Sequence, residues 1–419
     1  MKSVFKTNIV LLVIAMPLFS LAQNIDSNYE VATWQGFTEA AITYTFDDNC
    51  SNQYAIAIPA LDQAGFCGTF YPVMNWGPQW AKFKAAAANG HEIGSHTVTH
   101  PTLSNLDLNQ QEGELKNSKE KVDAEVGEGE CETIAYPYCV PSDVSLTKEY
   151  YIAARHCQGQ INKSTPSDFY NISSIICGEA GSLKSVDNFK TNAENTAKIQ
   201  GWSVFLIHGI DGNGGYSSLN SDVLKESLEY FNQNRGRFWV ITFVNAVKYI
   251  RERNCVSVKE KEATNQQITV EIKDTLNNSI YSEALSFRRI LPDGWSSAFV
   301  IQAGDTLNSK LVSISGQKFV EFNAAPDLAN VQIVKVDNAS SSLQPQRSLI
   351  KLEPNPFMHE LRISTSGSFA YQIFSLKGQI IESGTCYQSE LIGQKLDSGT
   401  YLLNITSENK LINRKIVKM

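Results

Sequence analysis

The feature that most limits what this chain can fold into is a rhythm. Between about residue 40 and residue 250, short runs of β-branched and aromatic residues alternate with longer amphipathic stretches, the pattern of repeated βα units. Strands are predicted at 41–46, 68–73, 92–95, 133–138, 151–155, 203–207 and 238–243, and helices at 53–64, 79–88, 108–126 and 222–233. The fold class that follows is α/β, with a deformed (β/α) barrel of about seven strands over residues 23–255. An open doubly wound sheet is the weaker fit, because no glycine-rich phosphate loop follows the first strand. Residues 158–200 interrupt the rhythm and are expected to run over one face.

After Cys255 the composition shifts to Thr, Asn, Ser, Val and Ile in alternating polarity, as in Gln267-Ile268-Thr269-Val270-Glu271-Ile272, which predicts a small β-sandwich over 256–337. A Ser-rich stretch, 338–348, reads as a linker, and 349–419 as a further β segment with turns at Lys377-Gly378 and Ser398-Gly399. At the other end, Lys2 and Lys6, the apolar run 9–19 and Ser20-Leu21-Ala22 make residues 1–22 a cleavable secretory signal, too short in its apolar part to span a bilayer. No later stretch qualifies as a transmembrane helix. The balance of 36 basic and 43 acidic side chains, a formal charge of −7, excludes a general phosphate-backbone binder, so no nucleic acid partner is expected. Eight cysteines in an exported chain favour disulfides, and short loops suggest Cys131 with Cys139 and Cys157 with Cys177.

The chemistry gathers at predicted strand ends, where βα barrels place their catalytic groups. Asp47 and Asp48 close the first strand in Thr45-Phe46-Asp47-Asp48-Asn49, and alternation along a strand points them in different directions. His96 and His100 follow the third strand at a spacing of four, so both imidazoles can reach one cation. Joined by the Asp48 carboxylate they form a two-nitrogen, one-oxygen face on a divalent metal with positions left for water and substrate, a set suited to hydrolysis. His208 ends the strand 203–207 ahead of the glycine-rich loop Asp211-Gly212-Asn213-Gly214-Gly215, which favours a catalytic role over a core one. His91 and His156 have weaker cases, and His359 lies in the last segment.

Thr-Phe-Asp-Asp at 45–48, Ser-His-Thr-Val-Thr-His-Pro at 95–101, Tyr-Pro-Tyr at 136–138 and Leu-Ile-His at 206–208 resemble, in order and spacing, motifs of the polysaccharide deacetylases, the NodB-homology domain of carbohydrate esterase family 4. The resemblance implies Asp47 as catalytic base, Asp48, His96 and His100 as ligands of a divalent metal (most often zinc, Zn2+), the Tyr138 backbone N–H in an oxyanion site, and His208 as general acid. Three departures stand out. The glycine usual after the acid pair is Asn49, a residue that tolerates left-handed backbone. The arginine expected two residues before the third motif's proline is Ala135. The fourth motif, an Asp followed by Trp, is missing. Arg155 is the candidate to replace the arginine beside Asp47; contact with substrate and a structural ion pair are its other two readings. Pro354-Asn355-Pro356-Phe357, the run 371–378, Ser398-Gly399-Thr400-Tyr401 and the basic terminus likewise resemble the C-terminal sorting domain of the type IX secretion system.

These resemblances imply a secreted or cell-surface deacetylase acting on an acetylated polysaccharide or oligosaccharide of chitin, xylan or peptidoglycan type, exported through its C-terminal domain. Trp76, Trp80 and Trp202 are candidates to stack on sugars, with core packing as the commoner role of such residues. Trp295 and Tyr281 would make the 256–337 segment a glycan-binding module, though a spacer is the simpler reading. Two rival functions are a catalytically weakened glycan-binding surface protein and a metal-dependent hydrolase of a non-sugar amide.

Overall fold

A computed structural model describes residues 24–336 and 351–418, apart from 354, 356, 376–379 and 408–409. The expected signal peptide, the 338–348 linker and the Lys377-Gly378 turn lie outside the described residues. The chain forms two compact units, one ending at Lys335 and one beginning at Val336.

At the centre of the first unit is the strand Ala40–Asp47, AAITYTFD, every residue of which is buried. Its near-continuous apolar character is what a parallel strand covered on both faces requires. Along one edge it pairs in parallel with Trp202–Ile207, from Ala41 opposite Trp202 to Phe46 opposite Ile207. Its other edge is shared: Phe238–Val240 pairs with residues 40–42 and Thr69–Tyr71 with residues 45–47. Glu92–Ile93 follows beside Thr69–Tyr71, and Ile175–Ile176 beside Trp202–Ile207. A parallel pair, Thr133–Ala135 with Ala153–Arg155, completes the circuit through bridges of Ser95 to Ile134 and of Arg155 to Ile172. The result is a (β/α) barrel deformed where short strands and single bridges replace full ladders.

Ile175–Ile176 falls inside the segment expected to be an excursion. Two strand residues in a polar stretch are too few to register as alternation, and only the neighbouring Trp202–Ile207 strand gives them a place. Helices Trp80–Ala88, Leu108–Glu125 and Ser221–Gln233 match the predicted segments; the expected 53–64 helix opens with a wide turn at Gln53–Ala57 and continues as Ile58–Ala64, ending on left-handed Gly65. Val144–Tyr150, Val186–Lys198 and Phe243–Cys255 are helices beyond those the sequence pattern predicts. The second of these carries a Ser185–Asn188 capping box that local chemistry could have disclosed.

Beyond Cys255 the first unit continues as two antiparallel sheets. One contains Ser257–Ala263, Gln267–Lys273, Val331–Lys335, Ala298–Gln302 and Asp305–Leu307; the other contains Ser309–Ile314, Gln317–Ala324 and Leu285–Ile290. The N-terminal strands Asn24–Ile25 and Tyr29–Val31 are edge strands of these two sheets, pairing with Ser257–Ala263 and Leu285–Ile290. One apolar cluster joins Trp34, Phe243 and Val247 to Ile268, Phe287, Val320 and Val331, so barrel and sheets share a core. Trp295 is buried in that core and offers no stacking face for a glycan.

The second unit is a single antiparallel sheet with the order Lys351–Glu353, Leu361–Phe374, Gly399–Ser407, Lys410–Lys418, and Ile380–Ile392 paired to Leu361–Phe374. Phe357, Ile363, Phe369, Leu403, Ile405 and Ile416 form its core. The suggested cysteine pairs are corrected: Cys139 is bonded to Cys157, while Cys131 and Cys177 are buried thiols. Loop length is a poor guide here because adjacent parallel strands bring the two turns that follow them together.

Candidate active site

The parallel register sets the ends of the barrel strands side by side, and the nominated residues stand on them. Asp47 is the last residue of the central strand and 2% exposed. The chain then turns through left-handed Asp48 (φ 71°) and Asn49 (φ 42°). Asn49 does more than tolerate the turn: its Oδ1 accepts from the Val73 N–H at 3.0 Å and its Nδ2 donates to the Trp76 carbonyl at 3.2 Å.

Gly94 precedes the histidine loop, and a Cβ there would lie 2.4 Å from the Tyr71 ring, so only glycine fits. His96 is buried, and its Nδ1–H donates to the Ala135 carbonyl at 2.7 Å. Because a carbonyl only accepts, this bond leaves the Nε2 lone pair free, 3.6 Å from Asp48 Oδ1. His100, left-handed at φ 60°, brings its Nε2 to 3.7 Å from the same oxygen. Glu114, unremarked in the sequence, holds the loop between the two imidazoles by accepting from the N–H groups of Val98 and Thr99 and from the Thr99 hydroxyl.

His208 follows the strand Trp202–Ile207, with Nε2 4.0 Å from the other Asp48 oxygen and with buried Nδ1 lacking a hydrogen-bond partner. Gln53 donates from its Nε2 to the carbonyls of both Asp47 and His208, tying the two strand ends together. Arg155 forms a buried ion pair with Asp47 Oδ2 through Nη2, while its Nη1 donates to Ser174 Oγ at 3.0 Å. Tyr138 occupies a left-handed turn (φ 53°) that leaves its side chain 64% exposed, with the ring against His100. His91 lies apart, bonded to Asp62 and to the Gly68 N–H, and His156 accepts from the Cys157 N–H. Trp202 is a core residue whose Nε1 donates to Thr43, and Trp80 packs on the barrel core; of the three tryptophans only Trp76 is exposed.

The electrostatics separate the two aspartates. Burial opposes ionisation of Asp47, but the Arg155 guanidinium paired with it outweighs that and holds the carboxyl below its ordinary range. For Asp48 the balance reverses: burial, then the Asp47 charge, outweighs the pull of Arg155 and pushes it up to about 7. Burial lowers His100 and His208, and His96 to about 3, so the imidazoles stand neutral. Asp48, His96 and His100 each offer one ligand atom within 4.8 Å of the others. Two neutral imidazole nitrogens and one buried oxygen with no hydrogen-bond partner are a donor set that fits a divalent ion, which would also compensate the Asp48 charge.

Residues 35–151 match the family described as polysaccharide deacetylase, and residues 351–419 match the secretion system C-terminal sorting domain. A gellan lyase from Bacillus sp. is 26% identical over 326 residues, 73% of this chain but only 13% of that protein's length. Among solved structures, the Xyl-CE4 domain of a multidomain xylanase from the hindgut metagenome of Trinervitermes trinervoides is 19% identical, with 50% of this chain and 90% of that chain covered at a TM-score of 0.38. A family 4 carbohydrate esterase from Bacillus anthracis is 17% identical, with 50% and 82% covered at a TM-score of 0.35. The chain thus carries a polysaccharide deacetylase domain followed by a type IX secretion C-terminal sorting domain.

Proposed function

We propose that this protein is an exported, metal-dependent deacetylase that hydrolyses N- or O-acetyl groups of a polysaccharide. The observation that carries this reading is the convergence of Asp48, His96 and His100 beside an ionised, arginine-paired Asp47. Asp48, His96 and His100 would hold the ion, zinc being the best match to the donor set. A divalent ion there supplies Lewis acidity toward the acetyl carbonyl and lowers the pKa of water.

The remaining steps belong to the chain's own residues. Asp47 Oδ1, buried and without a partner, takes the proton of the attacking water, and Arg155 keeps that carboxylate charged until then. The oxyanion of the tetrahedral species is held in part by the Tyr138 N–H, on a turn with left-handed geometry. His208 Nε2 relays the proton that Asp47 has taken from water to the departing sugar amine or hydroxyl, which returns Asp47 to its charged state. Arg155 supports this reading over the weakened glycan binder, since it supplies the charge that Ala135 lacks.

The test is acetate release by the zinc-reconstituted protein from acetylated chitooligosaccharide, xylan, peptidoglycan and gellan, the last included because of the relative named for it. Activity lost on chelation, and reduced at least 100-fold in Asp47→Asn with zinc content unchanged, is expected. Glycan binding without acetate release from any member of the panel would establish the binding-protein reading instead.

A further inference from the structure

Four large aromatic side chains are strongly exposed among the described residues: Trp76 (49%), Tyr138 (64%), Tyr216 (56%) and Tyr387. The first three all stand against site histidines. Trp76 and Tyr138 flank His100, with ring centroids at 4.9 and 4.6 Å, and Tyr216 meets His208 edge-on at 5.7 Å. His100 and His208 approach opposite oxygens of Asp48, so the aromatics fall on two sides of the acid pair. Exposed aromatic faces concentrated at a polar site mark a ligand with apolar faces of its own.

Trp76 and the loop of Tyr216 are held by the same short segment. Trp76 ends a tight turn, Met74–Trp76, whose N–H groups at Met74 and Asn75 donate to the carbonyls of Thr97 and Val98 in the histidine loop, while Asn49 donates to the Trp76 carbonyl. Tyr216 sits in the loop after His208, which folds back through Gly212, Gly214, Gly215 and Ser217, all at positive φ. A Cβ on Gly209 would lie 1.8 Å from the Gly214 carbonyl oxygen, and one on Gly215 2.8 Å from Cys50 Sγ, so the loop has no slack. Asn213 Oδ1 accepts from Ser51 Oγ at 2.7 Å and from the Asn52 N–H at 2.9 Å, and Asn52 Nδ2 donates to the Ile210 carbonyl at 2.9 Å. Residues 49–52 therefore tie Trp76 and the Tyr216 loop to Asp47 and Asp48.

We propose that Trp76 and Tyr138 on one side and Tyr216 on the other form an aromatic clamp for sugar units of an acetylated glycan chain, with Trp76 and the Tyr216 loop held in register with the acid pair by residues 49–52. This rests on the deacetylase reading and deepens it: it assigns Tyr216, exposed on the loop after His208, to binding a chain-like substrate. A clamp with two walls takes an oligosaccharide in preference to a single acetylated sugar.

The experiment uses the full zinc-loaded chain with penta-N-acetylchitopentaose, acetylated xylooligosaccharide and 4-nitrophenyl acetate. Tyr216→Ala and Trp76→Ala are each expected to raise KM for the better oligosaccharide at least tenfold. The ratio of oligosaccharide to nitrophenyl ester kcat/KM should fall by a similar factor, with zinc stoichiometry as in the parent. Asn213→Ala, which frees the Tyr216 loop without touching either ring, should give a smaller change in the same direction. A binding readout stands apart from turnover: oligosaccharide should quench tryptophan fluorescence of the parent but not of Trp76→Phe. KM shifts below twofold in both alanine variants, or loss of zinc that accounts for the whole effect, would overturn the clamp. Trp76-dependent quenching with no acetate release supports the clamp and rejects deacetylation; acetate release with no Trp76-dependent quenching does the reverse.

Discussion

At the residue scale, the arrangement turns on how burial and charge divide two adjacent carboxylates. Asp47 and Arg155 are both buried, so removing the guanidinium leaves an uncompensated charge. Arg155→Met is expected to destabilise the fold by about 3–5 kcal/mol, with part recovered in the Arg155→Met, Asp47→Asn double variant; denaturant titration of the four proteins checks it. Without the guanidinium the Asp47 carboxyl titrates at higher pH, so the acidic limb of kcat/KM in any surviving Arg155→Met protein moves toward neutrality. A second buried acid lies away from the chemistry. Glu92 accepts from Thr133 and Thr69 and from the Val244 N–H at the start of the Phe243–Cys255 helix, yet burial pushes it up to about 7. A carboxyl raised on folding binds its proton more tightly in the native state, so its contribution is full below the ordinary range near 4.5 and is lost as pH rises to about 7. Unfolding free energy should therefore decline over that window in the parent and less so in Glu92→Gln.

At the element scale, the site is made of strand ends whose following turns are locked individually. The Cys139–Cys157 disulfide links the turn bearing Tyr138 to the segment after Arg155, across a sequence separation of 18. Replacing both cysteines by serine is expected to cost about 3 kcal/mol in the chain-entropy view of such a loop and to lower kcat through the loosened Tyr138 turn. Thermal unfolding and steady-state kinetics on the double variant test both parts, and an unchanged kcat would show that the turn is set without the bond. In the loop after His208, Gly209→Ala must displace the Gly214 carbonyl. It should impair oligosaccharide turnover more than Asn213→Ala does, because it moves backbone where the other removes side-chain bonds.

At the scale of the whole molecule, barrel and sheets share one core that also takes in the N-terminal strands. A fragment ending at 255 would bare Phe243, Val247 and Ile250 and is expected to aggregate, whereas one ending at 336 keeps the first compact unit whole and should unfold with the cooperativity of the parent's first transition. Solubility and calorimetry of the two fragments decide this. The sequence alone determined what local pattern can specify. Alternation and apolar runs located the strands Ala40–Asp47 and Trp202–Ile207, and strand-end position with a spacing of four marked Asp47, Asp48, His96, His100 and His208, because these signals depend only on near neighbours along the chain. What joins distant segments had no such signal. Tertiary structure chose, among the three readings of Arg155, the place beside Asp47, and it decided that Cys139 finds Cys157, that Gln53 spans two strand ends and that Tyr216 faces His208. Each of these contacts is set by which strands lie side by side and how their turns pack, a choice made by the shared burial of the whole core rather than by any residue's immediate surroundings.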